Sequence, residues 1–116
     1  MKSLKRTAFS ILKKDHPVYI EGHRGMNRVV YENTLKSFSQ AISSSIESIE
    51  FDVWLTKDKV PVIMHGGDKG QLSPHFKVED KTLLVNNVTF EEMRKLEYKK
   101  VPEQKIPTLE EVLDLC

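Results

Sequence analysis

Apolar positions along the chain change period several times, and each change predicts an element. The short run Val18-Tyr19-Ile20 reads as a strand entering Glu21-Gly22-His23-Arg24-Gly25, where two glycines flank a basic pair in a loop. Leu35, Phe38, Ala41 and Ile42 then fall on one face of a helix that Asn33 or Thr34 caps and Ser43 to Ser45 ends. From Ile49 to Leu55 the period drops to two: Ile49, Phe51, Val53 and Leu55 form an aliphatic face, and Glu50, Asp52 and Trp54 the opposite one. Lys57-Asp58-Lys59 is a polar turn leading to a second extended run, Val60 to Met64, whose Pro61 suits an edge.

Residues 66–88 mix glycine, proline and alternating charge, which predicts a long loop with one short strand at Leu83 to Val85. Thr89-Phe90-Glu91-Glu92 and Thr108-Leu109-Glu110-Glu111 each have capping-box spacing, so two further helices start there. The last carries Leu109, Val112 and Leu113, which require a surface to cover, and it reads as cut short. The order is strand, helix, strand, hairpin arm, loop, helix, helix: an α/β beginning with few strands to close a sheet, which leads us to expect more sequence downstream.

Composition narrows the class. With 39% hydrophobic and 30% charged residues in 116, the chain suits one globular domain. A formal net charge of +1 offers no surplus for polyanions, so nucleic acid is not an expected partner. No apolar run is long enough for a transmembrane segment. Cys116 is the single cysteine, which excludes an intrachain disulfide and a multi-cysteine zinc site and permits a reducing compartment. Residues 1–17, with Lys2, Lys5, Arg6, Lys13 and Lys14 among apolar positions, read as a basic leader; residues 18–116 read as the domain.

Glu50 and Asp52 stand one residue apart on the predicted strand, so both face the same way and can share a hard cation such as Mg2+ or Ca2+. Two like charges on a buried sheet face repel and lose hydration unless something neutralises them; on a solvated face they need no ligand at all. His23 can shuttle a proton, and Arg24 offers a planar fork to phosphate. His65, before Gly66-Gly67, is a second candidate proton carrier. An acid/base pair, a metal pair and an anion clamp are the parts needed to break a phosphodiester.

The ordered strings His23-Arg24-Gly25, Glu32-Asn33-Thr34, Ile49-Glu50-Phe51-Asp52-Val53, Pro61-Val62-Ile63-Met64-His65 and Ile106-Pro107-Thr108-Leu109-Glu110-Glu111 resemble the N-terminal part of a glycerophosphodiester phosphodiesterase domain. The resemblance implies the N-terminal portion of a TIM-type (β/α)8 barrel, incomplete in this chain, and metal-dependent hydrolysis of a small-molecule glycerophosphodiester to glycerol 3-phosphate and an alcohol. It gives the divalent cation, Mg2+ or Ca2+, to Glu50 and Asp52, the phosphate to Arg24, and acid/base catalysis to His23 and His65 in unspecified order. The family pattern has an aspartate directly after the second histidine, whereas this chain has Gly66-Gly67 and then Asp68. A third metal carboxylate of the family falls beyond Cys116, so little activity is expected of the 116 residues alone. A truncated noncatalytic phosphate-binding module and a related phospholipid-cleaving barrel lyase are the alternatives. Glu32 and Asn33 read as capping or bracing residues, His16 and His75 as surface residues, Trp54 as core and Asp58 as a turn residue.

Overall fold

The computed structural model describes residues 20–26, 30–44 and 46–116, so the leader expected at 1–17, His16 within it, and Val18-Tyr19 lie outside it. Strand β1 (Glu21–His23) and strand β2 (Ser48–Glu50) pair in parallel, with His23 opposite Glu50. Parallel neighbours need a crossover, and helix α1 (Leu35–Ser43) supplies it. Thr34, not Asn33, is its N-cap: the Thr34 hydroxyl accepts from the Ser37 amide. Phe38 and Ala41 are fully buried on the face the spacing predicted, packed with Ile49 of β2.

The single strand expected from Ile49 to Leu55 is two. After Glu50 the chain leaves β1, and Val53–Leu55 (β3) pairs antiparallel with Pro61–Ile63 (β4), Val53 opposite Ile63 and Leu55 opposite Pro61. The Met64 amide donates to the Asp52 carbonyl, marking the change of partner at Asp52. With it the aliphatic face is lost: Ile49 is buried and Phe51 meets Phe38 edge-on, but Val53 and Leu55 are 46% and 47% exposed. Trp54 packs into a second apolar cluster, against Gly66 and Gly70.

The hairpin turns as expected. Thr56 Oγ1 donates to Asp58 and accepts from the Val60 amide, with Lys59 in the left-handed region. In the 66–88 segment the expected strand at Leu83 to Val85 shrinks to one bridge, Gln71 to Leu84, followed by a 3-10 turn at Val85–Asn87. The Val85 amide is taken by the Gly70 carbonyl; Gly70 has φ +83°, and a Cβ there would stand 2.7 Å from Val85 Cγ1, so only glycine permits this approach.

Helices α2 (Phe90–Lys95) and α3 (Leu109–Leu115) both begin with complete capping boxes. Val112 and Cys116 complete the smaller cluster with Phe38, Ala41, Ile49 and Ile63, so α1 and β4 provide the surface that α3 covers. The larger cluster gathers Val62 and Met64 of the hairpin with Leu72, Phe76, Met93 and Tyr98. Among the described residues no helix is long and apolar enough to cross a membrane.

Candidate active site

The chain turns sharply where β1 ends. The Arg24 amide donates to the Glu50 carbonyl, and the Gly25 amide closes back on Gly22. Arg24 and Asn33 have φ of 57° and 54°, a left-handed backbone that side-chain-bearing residues adopt only when their surroundings hold them. Here the Arg24 carbonyl accepts from both the Asn33 amide and the Ser37 hydroxyl, binding the turn to the start of α1. Gly25, at φ +86°, lies so close to Ser37 that a Cβ would come within 2.3 Å of its hydroxyl. Sequence, turn and helix start are thus locked together, and they aim polar side chains at the end of β2.

There Arg24 Nη1 donates to both carboxylate oxygens of Glu32, at 3.2 and 3.0 Å. Its Nε faces Asp52 at 3.6 Å, an ion-pair distance without hydrogen-bond geometry. Asn33 Nδ2 donates to the same Asp52 oxygen. His23 Nε2 stands 3.4 Å from Glu50 Oε1. Three buried atoms in this small region have no hydrogen-bond partner among the described residues: Arg24 Nε, Asn33 Oδ1 and Glu50 Oε1. A buried polar atom left unpaired costs about 1–3 kcal/mol, and these three are polar groups with hydrogen-bonding capacity to spare. The carboxylates of Glu50 and Asp52 are oxygen donors suited to a hard divalent cation, and the unpaired Glu50 oxygen fits that use.

His65 follows β4 and reaches the cluster from the other side. Its carbonyl lies 2.7 Å from His75 Nε2, and His75 Nδ1 lies 2.5 Å from the Tyr31 hydroxyl. A carbonyl only accepts, so Nε2 must carry the proton, and the bare Nδ1 then accepts from Tyr31. Burial, foremost, pushes the His75 pKa below its ordinary value and so favours this neutral ring. Burial and the neighbouring Glu32 push the Tyr31 hydroxyl up to about 12, so it remains a donor.

Glu32, His65 and His75 each offer a ligand atom within 4.8 Å of the others. That trio is a poor cation cage, because both His75 nitrogens are engaged and Glu32 is held by Arg24. Glu32 is instead the joint between the two halves, touching Arg24 on one side and standing beside the imidazoles on the other. His65 also borders a groove of about 420 Å³ with Gly67, Asp68, Gln71, Ser73 and His75. Asp68 accepts from the Gln71 side chain there and is not engaged with the carboxylates of β2.

Thus His23 and Glu50 stand side by side, Arg24 and Asp52 likewise, and His65 joins them through Glu32. Glu32 and Asn33 do more than cap or brace the helix, and His75 is not a surface residue: it is half-buried and hydrogen-bonded through both nitrogens. Tyr31 carried no signal of its own except its place directly before Glu32-Asn33-Thr34.

Residues 23–116 match the family model described as Glycerophosphoryl diester phosphodiesterase family. The chain is 31% identical over 118 residues to Glycerophosphodiester phosphodiesterase 1 of Mus musculus, a match that takes in 96% of the chain and 34% of that protein. Among solved structures, a phosphodiesterase of Oleispira antarctica in complex with the product sn-glycerol-3-phosphate superposes with a TM-score of 0.73 at 28% identity, over 93% of this chain and 41% of that one. The glycerophosphodiester phosphodiesterase of Thermotoga maritima gives 0.66 at 33% identity, over 87% and 40%. The chain therefore spans little more than a third of the length of its relatives. Its fold is the N-terminal portion of a TIM-type barrel, opened by the β1–α1–β2 unit and not closed among the described residues.

Proposed function

Because the chain belongs to the glycerophosphoryl diester phosphodiesterase family, we propose that it supplies one wall of an active site that hydrolyses glycerophosphodiesters to glycerol 3-phosphate and an alcohol. The observation that carries this reading is the convergence of Arg24, His23, Glu50 and Asp52 at the joined ends of β1 and β2, with buried polar atoms there left unpaired. Arg24 holds a phosphate oxygen: Glu32 occupies and orients Nη1, while Nε still lacks an acceptor. His23 and His65 divide the proton work: one takes the proton of the attacking glycerol hydroxyl while the other protonates the departing alcohol, and water then opens the resulting cyclic phosphate to glycerol 3-phosphate. Glu50 and Asp52 hold the divalent cation, Mg2+ or Ca2+, which supplies positive charge against the phosphoryl oxygens. The 3.4 Å approach of His23 to Glu50 supports this reading, because it sets one proposed proton carrier beside a proposed ligand carboxylate.

The test has two arms. Calorimetric titration of the chain with Mg2+ or Ca2+ should show binding that the Glu50→Gln, Asp52→Asn double variant loses; equal binding by both would remove the metal pair. The polypeptide carrying this chain should release open glycerol 3-phosphate from a glycerophosphodiester. Accumulation of a cyclic phosphate as the end product would assign a lyase instead.

A further inference from the structure

Tyr31 and His75 lie 44 residues apart in sequence, on two loops with no strand pairing between them, yet their side chains meet at 2.5 Å and the far side of the imidazole grips the His65 main chain at 2.7 Å. Both loops carry residues of the proposed site: Tyr31 directly precedes Glu32 and Asn33, and His65 ends the hairpin arm. We propose that His75, seated by Tyr31, is a positioning residue that fixes His65 against the Arg24–Glu32 pair, acting through the His65 carbonyl without touching substrate.

Three features support the assignment. The hydrogen bonds have one consistent polarity, Tyr31 O–H to Nδ1 and Nε2–H to the carbonyl, so a single neutral tautomer satisfies both ends. The pair is braced from behind: the Tyr31 ring meets Tyr98 edge-on at 5.4 Å between centroids, and Tyr98 stacks on Phe76 in the larger cluster. His65 needs such help because Gly66 and Gly67 follow it, with Gly67 at φ +61°, and glycines restrain the preceding peptide weakly. The His65 ring has no side-chain hydrogen bond among the described residues, so its direction depends on the main chain that His75 holds and on the edge-to-face contact between the two rings. Groups facing His75 are Tyr31, Glu32, His65 and, at longer range, Arg24; among the described residues its Nε2 hydrogen-bonds to the His65 carbonyl.

The catalytic part of this inference rests on the phosphodiesterase reading, whereas its structural part does not. Nitrogen-detected NMR of the chain should show His75 as the Nε2–H tautomer. The Gly66 amide, which shares a peptide group with the His65 carbonyl, should shift in His75→Phe, which keeps a ring but has no donor. It should return toward its parent position in His75→Gln, whose amide N–H can still reach the carbonyl. Tyr31→Phe, the milder change, leaves Nδ1 without its donor and should loosen the ring, so the Gly66 amide should shift in the same direction by less; it serves if His75→Phe does not fold, and an unmoved amide there would overturn the assignment. In the polypeptide that hydrolyses glycerophosphodiesters, His75→Phe should lower kcat about tenfold or more with KM within about twofold, and His75→Gln should recover most of the loss.

An Nδ1–H tautomer, an unmoved Gly66 amide in His75→Phe, or equal loss of turnover in the Phe and Gln variants would each overturn the assignment. Should the parent hydrolyse no glycerophosphodiester, the functional reading fails, and the tautomer and the Gly66 amide alone decide the positioning role.

Discussion

The starts of α2 and α3 and the end of β2 use the same chemical group in opposite ways. Glu92 Oε1 accepts from the Thr89 hydroxyl and lies near its amide; Glu111 Oε1 accepts from the Thr108 amide and hydroxyl and pairs with Arg94. Each of those carboxylates closes a capping box with the threonine three residues before it, at a helix N-terminus where negative charge is favoured. Glu50 and Asp52 have no such local donor. Among the described residues, Asp52 meets side chains brought from Arg24 and Asn33, and Glu50 Oε1 has no hydrogen bond. A carboxylate committed to its own backbone holds the fold; one that depends on distant groups, or lacks them, is available for chemistry.

The largest effect on stability should come from Glu32, where the two modes meet. Its carboxylate carries both Arg24 bonds in a partly buried setting, so Glu32→Ala leaves a guanidinium without its main partner and should cost about 2 kcal/mol. Urea unfolding measures this. A loss no larger than that of a surface ion pair would mean that Asp52 alone suffices for Arg24 and that the site is less dependent on distant groups than the contrast with the caps implies.

Next in size are the caps themselves. Thr89→Ala and Thr108→Ala each remove a hydroxyl that accepts an otherwise free amide and should cost about 1 kcal/mol. Neither should change cation affinity in calorimetry. A fall in affinity with either variant would show that α2 or α3 sets the geometry at the end of β2, and the two regions would no longer be separable.

These caps were legible in the sequence because four consecutive residues contain the whole interaction. The His-Arg-Gly turn was legible for a similar reason: the effect of its glycines is local. What escaped was decided by chain segments meeting. The strand through Ile49 to Leu55 kept its period of two, yet at Asp52 it exchanged β1 for β4 as its partner, and no periodicity encodes a change of neighbour. His75 sits in a Ser-Pro-His loop with nothing to distinguish it from an exposed residue until Tyr31 is folded against it. Glu32 read as a bracing residue because its partner Arg24, eight residues away, reaches it only through two left-handed backbone positions.

A smaller effect is expected from acid. Burial holds the His75 pKa below the ordinary 6.5, so between that value and the lower folded one the unfolded chain binds a proton that the folded chain resists. Stability from this residue is therefore complete above 6.5 and declines as pH falls through the interval below it. The hydrogen bond to the His65 carbonyl and the Glu32 charge oppose the shift, while the His65 and Arg24 charges add less to it, so the decline should be gentle. Chemical unfolding of the chain and of His75→Phe across this range should give converging curves as pH drops. Parallel curves would mean that His75 titrates alike in both states and is not held neutral by the fold.

The smallest change in stability should come from the residue with the largest proposed chemical role. Among the described residues, Glu50 Oε1 has no hydrogen bond to lose in Glu50→Gln, and the charged partner it approaches is His23, whose side chain is 59% exposed. An exposed pairing of that kind contributes little, so the unfolding free energy should change by no more than about 0.5 kcal/mol. Cation affinity should nevertheless fall at least about tenfold, because one of the two proposed ligand carboxylates is gone. Stability near zero with affinity lost is the inverse of the result expected for Thr108→Ala, and only a division of labour between the two kinds of carboxylate yields both. If Glu50→Gln instead unfolds the chain as readily as a lost cap, Glu50 is a structural residue, and the cation must be sought at Asp52 without it.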